Sequence, residues 1–153
     1  MTDPRLILAD DALRERLWAH ARAAYPKECC ALLLRDDRAG VAAELVLAEN
    51  LADKYHALDP ATYPRTAERA YVLDPRLIAN AERDGKTLVA IVHSHCNVGA
   101  YFSDEDVRQA LSPFDDGPLY PGVDYVVLDV QADGVRGFEV FGWSDEAQRF
   151  IGR

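Results

Sequence analysis

The run Cys29-Cys30-Ala31-Leu32-Leu33-Leu34 is apolar at every position and only six residues long. A half-exposed strand alternates apolar and polar residues, and a buried helix needs more length, so the run reads as a central strand covered on both faces. A strand of that kind needs elements packed above and below it. The second such run, Thr87 to Val92, has the same character. Together they point to a mixed α/β domain, a central sheet with helices packed on it.

The remaining pattern fits that frame. Leu13, Leu17, Ala21 and Ala24 recur at helical spacing over Asp11 to Ala24, with Asp10 or Asp11 as N-cap and Tyr25-Pro26 as the stop. Arg35 to Gly40 is a polar turn, and Val41 to Ala48 a second strand that pairs back as a hairpin. Asn50 to Ala70, with Asp59-Pro60 and Tyr63-Pro64 as breakers, reads as a long loop of the sort that forms lids or binding segments. Asp74-Pro75 opens a short amphipathic helix carrying Leu77, Ile78 and Ala81, and Gly85 ends it. Ser103 to about Leu111 is a further helix, followed by a loop from Ser112 to Gly122. Val123 to Val130 and Val135 to Trp143 form a hairpin across Gln131-Ala132-Asp133-Gly134. The expected order is α-β-β-α-β-α-β-β.

Composition limits the function. With 153 residues and 49% hydrophobic content, one domain with a single core is expected. Net charge is -9 and the basic residues are scattered, which argues against nucleic acid as a partner. No apolar run approaches the roughly 20 residues that cross a bilayer, and the N-terminus lacks a signal-like segment, so no membrane partner and a cytoplasmic location are expected. Three cysteines, two of them adjacent, make a poor disulfide framework.

The chemistry concentrates in one stretch. His93 and His95 end the second apolar run, and residues two apart on a strand project from the same face. Ser103-Asp104-Glu105-Asp106 then opens a helix that can return a carboxylate to that face. Two imidazoles and a carboxylate with an open fourth position are the donor set of a catalytic zinc site, although iron or cobalt also accepts such ligands. Each piece has a plainer reading when taken alone: Ser103-x-x-Asp106 as a capping box, the histidines as an exposed pair, Glu28 as a solvated residue ahead of a strand. Cys29 and Cys30 read as small core residues. Cys96 stays open between a thiolate ligand, a redox brake and no role. His20 and His56 read as surface residues. Of Tyr101 and Phe102, one is expected to pack and the other to line a groove.

Glu28 within Pro26-Lys27-Glu28-Cys29-Cys30, His93-x-His95, and Ser103-x-x-Asp106 after seven intervening residues resemble the JAMM (MPN-plus) metallopeptidase family. The likeness runs from Pro26 to Trp143, and Asn50 and the Tyr71-to-Pro75 segment also sit where the family has similar residues. It implies a single-domain sandwich of the cytidine-deaminase-like kind, a curved mixed β-sheet flanked by helices. It also implies Zn2+ held by His93, His95 and Asp106, with Glu28 as general acid/base and Ser103 at the oxyanion. Departures are Cys96 in place of the usual proline, Ala31 in place of glycine, and an Asn50 to Ala70 loop longer than in compact members. The implied substrate is a ubiquitin-like protein, here expected to be of the sulfur-carrier kind, cut at its C-terminal tail. A phage tail-assembly peptidase and a non-catalytic MPN assembly module are the alternatives. Oligomeric state is left open.

Overall fold

The structure is a computed structural model that describes residues 3–36 and 41–153, the side chains of Val41 and Ala42 excepted. Its elements in order are α1 (Pro4–Ile7), α2 (Asp11–Ala24), β1 (Cys30–Asp36), β2 (Val41–Ala48), α3 (Ala52–Leu58), α4 (Pro75–Arg83), β3 (Thr87–Cys96), α5 (Asp104–Ala110), β4 (Asp124–Gln131), β5 (Gly134–Ser144) and β6 (Arg149–Gly152). The six strands form one mixed sheet in the order β2-β1-β3-β4-β5-β6. Only β3 and β4 run parallel, and α5 lies in the connection between them. Among the described residues, no helix is long and apolar enough to cross a membrane.

Both apolar runs are buried on each face, as expected of central strands. From β1, Ala31 and Leu33 join Leu17 and Ala21 of α2, together with Val92, Val126, Leu128 and Val140. The alternate residues Cys30, Leu32 and Leu34 join Ile78 and Ala81 of α4, Ala110 of α5, and Ile91, Tyr71 and Tyr125. The sheet therefore has α2 on one side and α4 with α5 on the other. Burial of this apolar area, at roughly 25 cal/mol per Å2, is the main stabilising term for such a sandwich.

Local signals explain the helix boundaries. Asp10 caps α2 by accepting from Leu13 N at 2.9 Å, and Asp74 caps α4 by accepting from Arg76 N at 3.0 Å, with Pro75 in the first turn. After α4, Gly85 takes φ +77°, the left-handed conformation that closes a helix without a Cβ clash.

The structure corrects several expectations. Asn50 to Ala70 is not one long loop, since α3 occupies Ala52–Leu58. Asp53 anchors that helix, accepting from Ala67 N and from Lys27 Nζ, each at 2.8 Å. Arg35 and Asp36 continue β1 instead of turning, while residues 37–40 of the expected turn lie outside the described residues. Strand β3 extends through Cys96 because its far half pairs in register with β4, His93 opposite Val127 and His95 opposite Asp129. Helix α1 and edge strand β6 were not expected from the sequence. His20 is not a free surface residue, since its Nε2 lies 3.1 Å from Cys30 O, and His56 Nδ1 lies 2.8 Å from Tyr63 O. Cys29 and Cys30 are buried core residues, as expected, and burial pushes their thiols up to about 11 and about 12.

Candidate metal centre

Strand parity places the site. Cys30 of β1 pairs with His93 of β3, so Glu28, two residues before Cys30, comes to the face that carries His93 and His95. Glu28 is 6% exposed. Its backbone is fixed from both ends: its N–H donates to Ala67 O at 2.7 Å, and its carbonyl accepts from Asn50 Nδ2 at 2.9 Å. Its carboxylate has no hydrogen-bond partner among the described residues and faces a cleft of about 250 Å3 shared with His95, Cys96, Tyr101 and Ser103.

The chain then turns back through a loop that contains Asn97 and Gly99 at positive φ, with Asn97 N donating to Val130 O at 2.9 Å. Helix α5 follows, opened by a full capping box. Ser103 Oγ accepts from Asp106 N at 3.1 Å, and Asp106 Oδ2 accepts from Ser103 N at 3.0 Å. The box and the site are one device. Because its own backbone and Ser103 hold Asp106, its carboxylate reaches the histidines, Oδ1 lying 3.1 Å from His93 Nε2 and Oδ2 3.1 Å from His95 Nε2. The two Nε2 atoms are 3.3 Å apart. One donor atom each from Glu28, His93 and His95 also lies within 4.8 Å of the others.

These distances suit a shared cation. Donors about 2.0–2.1 Å from a tetrahedral metal stand roughly 3.3–3.4 Å from one another. His95 Nδ1 lies 3.3 Å from Gly99 O, and a carbonyl can only accept, so Nδ1 donates there and Nε2 is the ring atom turned to the site. Nε2 meets Asp106 Oδ2 and His93 Nε2, the contacts a divalent cation would replace. Burial pushes His93 down toward the neutral form. Burial would raise Asp106, but its hydrogen bonds to His93 and His95 hold it well below the usual carboxylate range. Neutral imidazoles and an ionised carboxylate are the forms a metal requires. His93 Nδ1 is buried without a partner among the described residues, and the Tyr71 ring stacks on the imidazole at 4.3 Å.

The structure brings together all five expected site residues: Glu28, His93, His95, Ser103 and Asp106. Burial first, then the Asp106 charge, raises Glu28 to about 8, against a smaller opposing effect of Arg65. Ser103 Oγ spends an acceptor site on Asp106 N and keeps its hydroxyl hydrogen for another partner. Cys96 turns its Sγ to Lys27 O at 3.4 Å, and burial raises its thiol to about 11, which disfavours a thiolate there. Tyr101 is exposed beside His95, while Phe102 packs on Tyr125, Phe141 and Phe150, so one lines the groove and the other the core.

Three residues have positioning roles that the sequence reading does not assign, although the family resemblance marks Asn50 and the segment that begins at Tyr71. Ser94, between the histidines, points to the opposite face and accepts from Cys29 N at 2.7 Å, joining the Glu28 segment to β3. Asn50 uses its whole amide: Nδ2 donates to Glu28 O and Ala70 O, and Oδ1 accepts from Ala52 N and Val72 N, at 2.9–3.0 Å. Tyr71 backs His93. Apart from that resemblance, the first two could have been suspected only as polar residues in or beside strands.

A family model described as prokaryotic homologs of the JAB domain matches residues 10–139. No curated protein matches. Among solved structures, a protein from Desulfitobacterium hafniense is similar at TM-score 0.60 and 20% identity, covering 94% of this chain and 86% of its own. A protein from Salinibacter ruber is similar at TM-score 0.56 and 25% identity, with the same coverages.

Proposed function

Because the chain belongs to the family of prokaryotic homologs of the JAB domain, we propose that it is a zinc-dependent metallopeptidase of the JAMM type. Its substrate is a ubiquitin-like protein of the sulfur-carrier kind, cut at an amide bond in the C-terminal tail. The observation that carries this reading is the convergence of His93 Nε2, His95 Nε2 and the Asp106 carboxylate to 3.1–3.3 Å of one another beside a carboxylate-bearing cleft.

His93, His95 and Asp106 hold the metal in this reading. When bound, zinc supplies a Lewis acid and makes hydroxide available near neutral pH. Glu28 takes the proton of the attacking water and gives it to the departing amine. Burial raises its carboxyl to about 8 in the metal-free protein, and a bound dication would bring it down toward the ionised form that accepts the proton. Ser103 offers its hydroxyl hydrogen to the oxygen that gains negative charge. Two imidazole nitrogens and a carboxylate oxygen in a buried cluster would favour zinc over the harder cations, which prefer all-oxygen sites.

Glu28→Gln tests the assignment. Zinc content should be unchanged, and hydrolysis of a ubiquitin-like protein carrying a C-terminal extension should fall by about 100-fold or more, the size of a lost general base. Equal rates in variant and parent would remove Glu28 from the reaction, and zinc-free protein at equal molar activity would remove the metal.

A further inference from the structure

Behind the metal centre lies a second and larger cavity, of about 410 Å3, between α4, α5 and the segment 62–73. Its floor is Ile91 and Tyr125 of the sheet, and Ile78 and Leu73 form apolar wall. Two features separate it from a packing defect. Tyr71 and Tyr125 line it, are 6% and 3% exposed, and make no hydrogen bond with any described residue. Neither hydroxyl oxygen is sealed from the cavity, because His93 Nδ1 is the only sealed and unpartnered side-chain polar atom among the described residues. A buried phenol normally has a partner, so two open ones mark places for ligand atoms.

The second feature is the charge at the mouth. Arg108 is engaged with Glu105, which also accepts from Gln109, so that cation is already neutralised. Arg65 forms no ion pair or hydrogen bond through its side chain among the described residues. It lines both this cavity and the cleft that contains Glu28 and His95. Apolar wall, phenol hydroxyls and an uncommitted guanidinium at the junction with the reaction centre form the complement of an apolar side chain next to a carboxylate.

Resting on the hydrolase reading above, we propose that this cavity takes the apolar side chain of a peptide's C-terminal residue and that Arg65 neutralises its free α-carboxylate. The residue bound there is the leaving residue. Glu28 protonates the departing amine, so the amine side of the scissile bond lies beside Glu28. Arg65 is the cation whose charge reaches Glu28 and that lines both cleft and cavity, whereas Arg69 lines the cleft and not the cavity. Water adds across the bond: the acyl carbon gains the hydroxyl, the C–N bond breaks, and the nitrogen leaves as the amine of a free amino acid. An isopeptide bond has no α-carboxylate at that distance from its lysine nitrogen. The geometry therefore favours trimming of a tail over removal of a branch.

The test is binding to the metal-free full chain, followed by NMR, so that it does not depend on turnover. N-acetylphenylalanine, its C-terminal amide and a hexapeptide ending in phenylalanine are the probes. The acid and the peptide should bind at least about ten-fold more tightly than the amide, with shifts at Tyr71, Ile91 and Tyr125. Arg65→Gln should bring acid and amide within about two-fold by weakening the acid alone. Tyr125→Phe should weaken all probes by about three-fold to ten-fold, the range of one lost hydrogen bond. Equal affinity of acid and amide for the parent, no detectable binding, or shifts confined to other surfaces would overturn the proposal. Binding of the small acid without the peptide would overturn the peptide terminus as occupant. None of these outcomes bears on whether Glu28 and zinc hydrolyse amides, which the Glu28→Gln comparison decides.

Discussion

Alternate residues of β3 serve two different chemistries. Val92 and Ser94 face α2, with Leu17, Ala21, Leu33 and Val126 in the same core, and Ser94 Oγ accepts from Cys29 N. Ile91, His93 and His95 face α4 and α5, and that side holds an imidazole nitrogen and two phenols without partners among the described residues, and a carboxylate raised by burial. The first face has every ordinary mark of a stabilising core. The second carries polar groups whose burial costs stability unless something else binds them. A one-residue parity divides a face that only holds the fold from one that holds it and also carries the reactive groups.

That division can be broken first at α2. Leu17→Ala should cost about 2–5 kcal/mol of unfolding free energy by denaturant titration, yet leave zinc affinity in the folded protein near the parent value. A large fall in affinity would show that the two faces are not independent. His95→Ala should do the reverse, with more than about 100-fold loss of zinc affinity by competition with a chelator and little loss of metal-free stability. Asn50→Ala belongs to both sides, because it leaves the Glu28 and Ala70 carbonyls and two backbone N–H groups short of partners. Roughly 1–3 kcal/mol should be lost by thermal unfolding, together with a lower kcat at unchanged zinc content.

A further prediction concerns pH. The folded Glu28 carboxyl is raised to about 8 from an ordinary 4.5. A raised acid contributes its stability below the unfolded value and loses it as pH rises toward the folded one. Glu28 should therefore lower the Tm of the metal-free protein as pH rises from about 5 to 8, while the depressed His93 raises it as pH approaches 6.5. The measured quantity is thus the Tm of Glu28→Gln minus that of the parent, which should grow across the window. A difference that stays flat or shrinks would place the charge of Glu28 in a compensated environment.

The elements that carry their own local signals were the readable ones, on both faces of the sheet. Helices α2 and α4 and strand β2 carry their own periodicity and caps, so their limits follow from local residues. The five expected site residues were readable because strand parity and a capping box are also local rules. What escaped depends on distant partners. Helix α3 has a cap residue, Leu51, without a side-chain hydrogen bond, and Asp53 holds it to Lys27 and Ala67. Strand β6 exists through its pairing with β5. Ser94, Asn50 and Tyr71 acquire their roles only when β1, β3 and the segment 70–72 meet, which no window of neighbouring residues displays.

The Asn50 amide has an implication beyond holding Glu28. Together with the Leu51 N to Val72 O bond at 2.9 Å, it sews the two ends of the 51–72 excursion to each other at its base. Inside that stitch Ala67 holds Glu28 and is itself tied to Asp53. The stretch 54–66 beyond that second tie is the part that can grow, shrink or change character while the reactive groups keep their coordinates, and lengthening such a stretch costs only slowly more entropy. The outer bend, which contributes Tyr63, Pro64 and Arg65 to the cavity mouth, is thus an exchangeable reading head on a fixed engine.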